Sequence, residues 1–294
     1  MTDVETPSTQ VLPPLPPPLA GEGWDRKNPL GSARLSAACG ARIDGIDLAR
    51  PLSPASKEWI WRAFLAHRVL LFRGQALSRE QQFAFAAQFG EVEPHGGDHG
   101  RTKRDGVAHV LSNLDAAGNP TLRRSPAANY HWHTDKPYRA APPMLTMLHA
   151  VELPPSGSAT EFADTALAYD ALAETTKRRI AELRVAFCPA FDPDRPGVDH
   201  PLVRTHPETG AKALYLGNHA TRILGLRAAE SAALLHELLA HATEPRFVYA
   251  HRWRLGDLVM WDNRCLLHRA VIDAESGRYR RILYRSTVKG TAPE

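Results

Sequence analysis

Cysteine is scarce: three in 294 residues, Cys39, Cys188 and Cys265, all far apart. They form neither a zinc pattern nor a disulfide framework, so a reducing, cytoplasmic setting is expected. No apolar run reaches the roughly 18 residues of a membrane span, and no membrane partner is expected. The N-terminus has no charged start leading into an apolar core, so it does not read as a secretory signal. GxGxxG, a Walker loop, HExxH and regular βαβ alternation are all missing. Their absence argues against a Rossmann-type fold, a P-loop enzyme and a zincin. There is also no long basic stripe interleaved with aromatics. Basic residues cluster only briefly, at RTKR (101–104) and RYRR (278–281), within a net charge of +4. Nucleic acid is therefore not an expected partner. A mildly positive balance suits an enzyme that draws small anionic substrates inward.

Residues 1–28 are rich in proline and read as a disordered tail. Residues 29–294 read as one domain. SPASKEWIWRAFLAHR (53–68), LSREQQFAFAAQFG (77–90), ALAETTKRRIAELR (171–184) and LRAAESAALLHELLAHATE (226–244) carry helical spacing. Ser78 with Gln81 three residues on is a capping-box pattern. Strands are expected over 41–50, 69–74, 144–153, 160–165, 247–271 and 278–290, with a hairpin over 200–217 around Pro-Glu-Thr-Gly. Strands dominate the central and C-terminal parts, with helices outside. That pattern fits a mainly β sandwich or jelly roll with flanking helices.

One short stretch concentrates chemistry. YHWHTDKPY (130–138) holds His131, His133 and Asp135 within five residues. On an extended chain these three share one face, while Trp132 and Thr134 take the other. A His-x-Asp pair can thus present a nitrogen and a carboxylate oxygen to one metal. Parity does not choose between His131 and His133, and the chain has 14 histidines. A third ligand is offered by His268, in the apolar strand-like segment DLVMWDNRCLLHRAV. Downstream, RYRRILYR places Arg281 and Arg285 on one side of a strand, opposite Ile282 and Tyr284. Arginine suits bidentate recognition of carboxylate or sulfonate. Two histidines and one carboxylate form the facial triad of non-haem Fe(II) oxygenases, which leaves coordination positions open.

The chain resembles the taurine dioxygenase and dichlorophenoxyacetate dioxygenase family of Fe(II)/2-oxoglutarate-dependent oxygenases over about residues 32–290. The resemblance rests on WHTD (132–135), TEFADTALAYDAL (160–172), HPLVRTHPETGAKALYLGNHATRILGL (200–226), GDLVMWDNRCLLHRAV (256–271) and RRILYRSTV (280–288). The TEFAD and WDNRCLLHR blocks look closer to the aryloxyacetate branch.

The resemblance implies a double-stranded β-helix, a cupin-like jelly roll with iron at its mouth. It assigns His133, Asp135 and His268 as iron ligands and leaves His131 outside the triad, as a neighbour of the substrate pocket. It assigns Thr160 and Arg281 to 2-oxoglutarate, with Asn129 nearby, and Arg285 to the substrate anion. His95 is its match for a substrate-contacting histidine. The loop Gly-Ser-Ala-Thr (157–160) departs from the family pattern at Ala159, and 96–129 is the expected cover of the substrate. The implied reaction uses Fe(II), 2-oxoglutarate and O2 to hydroxylate a small anionic substrate: an aryloxyalkanoate, a sulfonate or a related carboxylate. C–O or C–S cleavage follows where the hydroxylated carbon carries such a bond. An aspartate at 135 points to oxygenation rather than halogenation. The implied assembly is a homo-oligomer, a dimer or tetramer. The competing reading is a metal-dependent hydrolase or isomerase on a cupin-like barrel.

Overall fold

The computed structural model describes residues 31–94, 106–121, 127–155, 158–189, 197–272 and 278–294. The proline-rich tail 1–28, His95 and much of the expected substrate cover lie outside the described residues.

Strand-forming sequence among the described residues builds two facing sheets and two small sheets in the segment that backs them. The larger has seven strands: β1 (Gly31–Arg34), β2 (Ala41–Asp44), β3 (Val69–Phe72), β4 (His109–Ser112), β5 (Leu145–Glu152), β13 (Leu258–Asp262) and β15 (Ile282–Val288). Their spatial order is β1-β2-β3-β13-β5-β15-β4. The smaller sheet is built from β6 (Ser158–Asp164), β12 (Val248–Arg252) and β14 (Leu266–Ile272), in the order β12-β6-β14. Side chains alternate across these strands, so each sheet has an inner and an outer face. Leu71, Ala150, Val259, Trp261 and Leu283 of the larger sheet meet Phe162 and Leu266 of the smaller one in a shared core. This is the mainly β jelly-roll sandwich that the sequence leads one to expect.

Helices cover the outer faces. α1 (Pro54–His67) starts at Ser53, whose hydroxyl accepts from the Ser56 amide. α2 (Arg79–Ala87) starts with the capping box of Ser78 and Gln81. Trp59, Ile60, Phe64 and Phe85 from these helices pack on the outward Leu70, Phe72, Leu145 and Met260. The smaller sheet is backed by the segment between β6 and β12. That segment holds α3 (Thr165–Asp170), α4 (Glu174–Ile180), the short strands β7 (Arg184–Phe187), β8 (Val198–Pro201), β9 (Val203–Thr205), β10 (Lys212–Leu214) and β11 (Ala220–Ile223), and α5 (Ala228–Ala242).

Several elements are shorter than their sequence signals. The strand expected over 41–50 stops at Asp44, because Gly45 turns the chain with φ 79°. The helix expected over 171–184 is confined to 174–180, and a separate turn of helix, α3, precedes it under the Asp164 cap. The long strand signal over 247–271 breaks into β12, β13 and β14. The hairpin expected over 200–217 pairs only 203–205 with 212–214. Cys39, Cys188 and Cys265 are free thiols. Among the described residues no helix is long and apolar enough to cross a membrane.

His67 ends α1 fully buried, and both its ring nitrogens lack a hydrogen-bond partner among the described residues. Burial, then the nearby Arg34 and Arg68, push its pKa from 6.5 down to about 4. Between those values the unfolded chain binds a proton that the folded chain refuses. The stability present above pH 6.5 is therefore lost as pH falls towards 4. His67→Phe is expected to remove about 2 kcal/mol of that loss between pH 7 and pH 5. Urea unfolding of both proteins at pH 7 and pH 5 measures it, and parallel pH dependences would refute the assignment.

Candidate active site

The site grows from one backbone pairing. His133 donates its amide to the His268 carbonyl at 3.0 Å, and His268 returns the bond at 2.7 Å. This isolated antiparallel bridge adds residue 133 to the free edge of β14. Directly opposed residues point to the same side. The two imidazoles therefore meet, with ring centroids 4.1 Å apart, on the inner face of the smaller sheet. His268 rests against Trp261, 4.8 Å between centroids, and Phe162, 6.2 Å. Asp135 follows two residues after His133 and keeps its parity. Ligand atoms of His133, Asp135 and His268 all lie within 4.8 Å of one another, and all three residues are buried.

His131 has the same parity but a different fate. Its side chain is exposed. Its carbonyl instead accepts a hydrogen bond from His133 Nδ1 at 2.8 Å. A carbonyl can only accept, so Nδ1 carries the proton and Nε2 keeps its lone pair. The residue that competed for a ligand position in the sequence thus orients the ligand through its backbone. Gly217 closes the other side. It holds φ +123°, and an added Cβ would come within 3.0 Å of the Trp132 carbonyl oxygen and 3.2 Å of His133 Cα.

Electrostatics complete the donor set. Burial lowers the pKa of His133, and burial with the neighbouring His133 lowers that of His268 further, so both rings stay neutral. Burial opposes ionisation of Asp135, but the Arg285 guanidinium and the Thr146 hydroxyl outweigh it and hold the carboxyl well below its usual range. Two neutral imidazoles and an ionised carboxylate suit a divalent metal that retains open positions.

Arg285 lies on β15 with its Nη2 2.7 Å from Asp135 Oδ1. Arg281 sits one residue before β15 begins. The register irregularity there places an extra residue on β5, not on β15, so Arg281 keeps the parity of Leu283 and Arg285. Its Nε lies 3.4 Å from Ser158 Oγ, and burial disfavours its charge, with Tyr130 partly offsetting. Among the described residues no carboxylate pairs with it. Thr160 is buried on β6, and its Oγ1 accepts from Trp253 Nε1 at 3.0 Å. Asn129 is half-buried in the 3-10 turn Ala127–Tyr130, four residues before His133.

One group, His219, escaped the sequence reading, and Lys136, just past Asp135, had no role assigned to it. His219 is buried, 6.5 Å from the His133 ring and 5.1 Å from Tyr138. Burial, then His133, push its pKa down to about 4. It stood in the quoted LYLGNHATRILGL block, but one histidine among 14 carried no spacing signal. Lys136 turns the chain straight after the ligand, with φ 48°. Its ammonium pairs with Glu93, which also accepts from Arg139 at 3.0 Å. A further buried group, His206, Asp262 and Cys265, has metal-like spacing. Its carboxylate is already saturated by Arg264, at 2.8 and 2.7 Å, and by His206 at 3.0 Å. That arrangement pins the turn after β13.

The comparisons agree with this geometry. Residues 29–287 match the taurine catabolism dioxygenase TauD, TfdA family. The alpha-ketoglutarate-dependent 2,4-dichlorophenoxyacetate dioxygenase of Cupriavidus pinatubonensis is 40% identical over 253 residues, 78% of this chain and 88% of that protein. The (S)-phenoxypropionate/alpha-ketoglutarate-dioxygenase of Sphingobium herbicidovorans is 34% identical over 278 residues, 88% of this chain and 94% of that protein. The crystal structure of AAD-2 in complex with Mn(II) and N-oxalylglycine superposes with a TM-score of 0.79 at 34% identity, covering 90% of this chain and 98% of the other. These matches set aside the hydrolase or isomerase reading. The chain belongs to the taurine catabolism dioxygenase TauD, TfdA family, and it is an oxidoreductase of the α-ketoglutarate-dependent dioxygenase class.

Proposed function

We propose that this protein uses Fe(II), 2-oxoglutarate and O2 to hydroxylate a small organic anion, an aryloxyalkanoate, a sulfonate or a related carboxylate. The observation that carries the proposal is the convergence of His133, Asp135 and His268 donors within 4.8 Å, with Arg285 beside the same carboxylate.

His133 Nε2, one oxygen of Asp135 and His268 Nε2 would hold the metal. Bound there, Fe(II) supplies the O2 activation that couples decarboxylation of 2-oxoglutarate to succinate with hydroxylation of the substrate. Arg281 binds the distal carboxylate of 2-oxoglutarate. Its half-buried cation has no acidic partner among the described residues, so a dicarboxylate compensates the desolvation. Thr160 presents its hydroxyl from β6 towards the same carboxylate, and Trp253 Nε1, which donates to it, orients that hydroxyl outward. Asn129 flanks this end of the site.

Arg285 spends one N–H on Asp135 and keeps others for the substrate anion. That double contact sets the anion next to the metal, which fixes the oxidised carbon near it. His219, which burial keeps uncharged, lies beside the His133 ring with Tyr138 against it, and this favours an apolar or aromatic body behind the anionic head. His131, exposed beside the ligand segment, and His95, on the family resemblance, are the further substrate contacts. Where the hydroxylated carbon carries an ether oxygen or sulfonate, the hydroxylated product collapses with loss of that group.

Two substitutions separate the roles. Asp135→Ala should lower Fe(II) affinity and substrate-coupled succinate formation by more than about a hundredfold. Anaerobic addition of Fe(II) and 2-oxoglutarate should give a weak visible charge-transfer band in the wild type and none in the variant. A wild-type band retained at full intensity in Asp135→Ala sinks the triad.

Arg285→Ala, assayed at saturating metal, should raise the KM for an accepted aryloxyalkanoate about thirtyfold or more, as loss of a buried charged hydrogen bond does. The KM for 2-oxoglutarate should stay near the wild-type value. Equal substrate KM values in the two proteins reject the anion-binding role.

A further inference from the structure

Asp135 has two carboxylate oxygens, and the structure treats them differently. Oδ1 faces His268 Nε2 at 4.0 Å and Arg285. Oδ2 accepts the Thr146 hydroxyl at 2.5 Å. Behind Thr146 the contacts continue. Asn263 Nδ2 donates to Thr146 Oγ1 at 3.0 Å, and Trp261 Nε1 donates to Asn263 Oδ1 at 3.0 Å. Thr146, Trp261 and Asn263 are all essentially inaccessible to solvent.

The direction of every bond in this chain follows from its ends. An indole N–H can only donate, and an ionised carboxylate can only accept. Asn263 must therefore turn its oxygen to Trp261 and its nitrogen to Thr146. Thr146, having accepted from Asn263, must donate to Asp135. Such aligned donors reinforce one another in a low-dielectric interior. Asn263 also reaches the ligand segment itself: its backbone carbonyl accepts from Thr134 Oγ1 at 2.8 Å, and its Oδ1 is 3.5 Å from the Asp135 amide.

The strands explain why these groups coincide. Thr146 on β5 is paired directly with Trp261 on β13. Both point inward, and the turn after β13 brings Asn263 back over Thr146.

We propose that Thr146, backed by Asn263 and Trp261, is a positioning residue that reserves Oδ1 of Asp135 for the metal. By tying Oδ2 into the buried chain it stops the carboxylate swinging, so a metal is met through the remaining lone pair of Oδ1, whose other lone pair accepts from Arg285 Nη2 at 2.7 Å. Two imidazoles and one oxygen then leave three of six positions open, as two-point chelation by 2-oxoglutarate plus O2 requires. A carboxylate free to swing would close one of those positions with its second oxygen. The inference rests on the metal assignment above.

Mn(II) titration followed by electron paramagnetic resonance tests both, with water-proton relaxation reporting the open positions. His133→Ala should bind Mn(II) at least about tenfold more weakly than wild type. Equal binding there overturns the metal assignment, and the present inference with it. Thr146→Val keeps the side-chain shape and loses the hydroxyl. It should weaken Mn(II) about 10- to 100-fold, the range for loss of an outer hydrogen-bond partner, and lower the relaxation per bound ion. Thr146→Ser should restore both to near wild type. With His133→Ala impaired, wild-type affinity and relaxation in Thr146→Val overturn only the positioning role. So does a serine variant as weak as the valine. If Thr146→Val does not fold, Trp261→Phe tests the chain from its far end. A severalfold weaker Mn(II) affinity there supports the chain, and an unchanged one overturns it.

Discussion

Everything at the site depends on the reciprocal backbone pair between His133 and His268. Two residues 135 positions apart become directly opposed, and antiparallel geometry then points both imidazoles the same way. The pairing also seats residue 133 as an added edge of the smaller sheet. Asp135 inherits its orientation from this, being two residues further along the same extended segment. Trp132, of opposite parity, turns outward into the helical insert with Leu267. The metal donors and the anchor of their segment are thus set by one alternation, read on its two faces.

Around that pair the protein handles buried charge by division of labour. Asp135 is ionised because Arg285 and a hydroxyl compensate its desolvation. The two histidines are neutral because nothing compensates theirs sufficiently. Arg281 is half-buried beside only weak partners, an arrangement that suits a visiting carboxylate. Behind the site, Asp262 is saturated by Arg264 and His206, so the turn that carries Asn263 is rigidly placed. Rigid support matters here because a ligand set works only within narrow geometric limits.

Much of this was legible from residues alone. The His-x-Asp parity, the apolar setting of His268 and the paired arginines survive intact in the structure. The jelly-roll class and the capped starts of α1 and α2 do as well. The failures share a cause. Strand signals over 41–50 and 247–271 run through tight turns at Gly45, at Gly256 and after Asp262, which propensity does not see. His131 was indistinguishable from His133, because strand periodicity carries no information on which residue meets a partner strand. His219 stood inside a quoted block, but without local spacing to mark it.

The sequence by itself determined the donor types, their alternation and the family to which the chain belongs, since these are local or directly comparable properties. Tertiary structure decided which histidine faces His268, and that Thr146 takes Oδ2 of Asp135 while Arg285 takes Oδ1. Those choices depend on long-range pairings, His133 with His268, Thr146 with Trp261 and Arg285 with Asp135, and only the folded chain brings such distant positions within hydrogen-bonding distance.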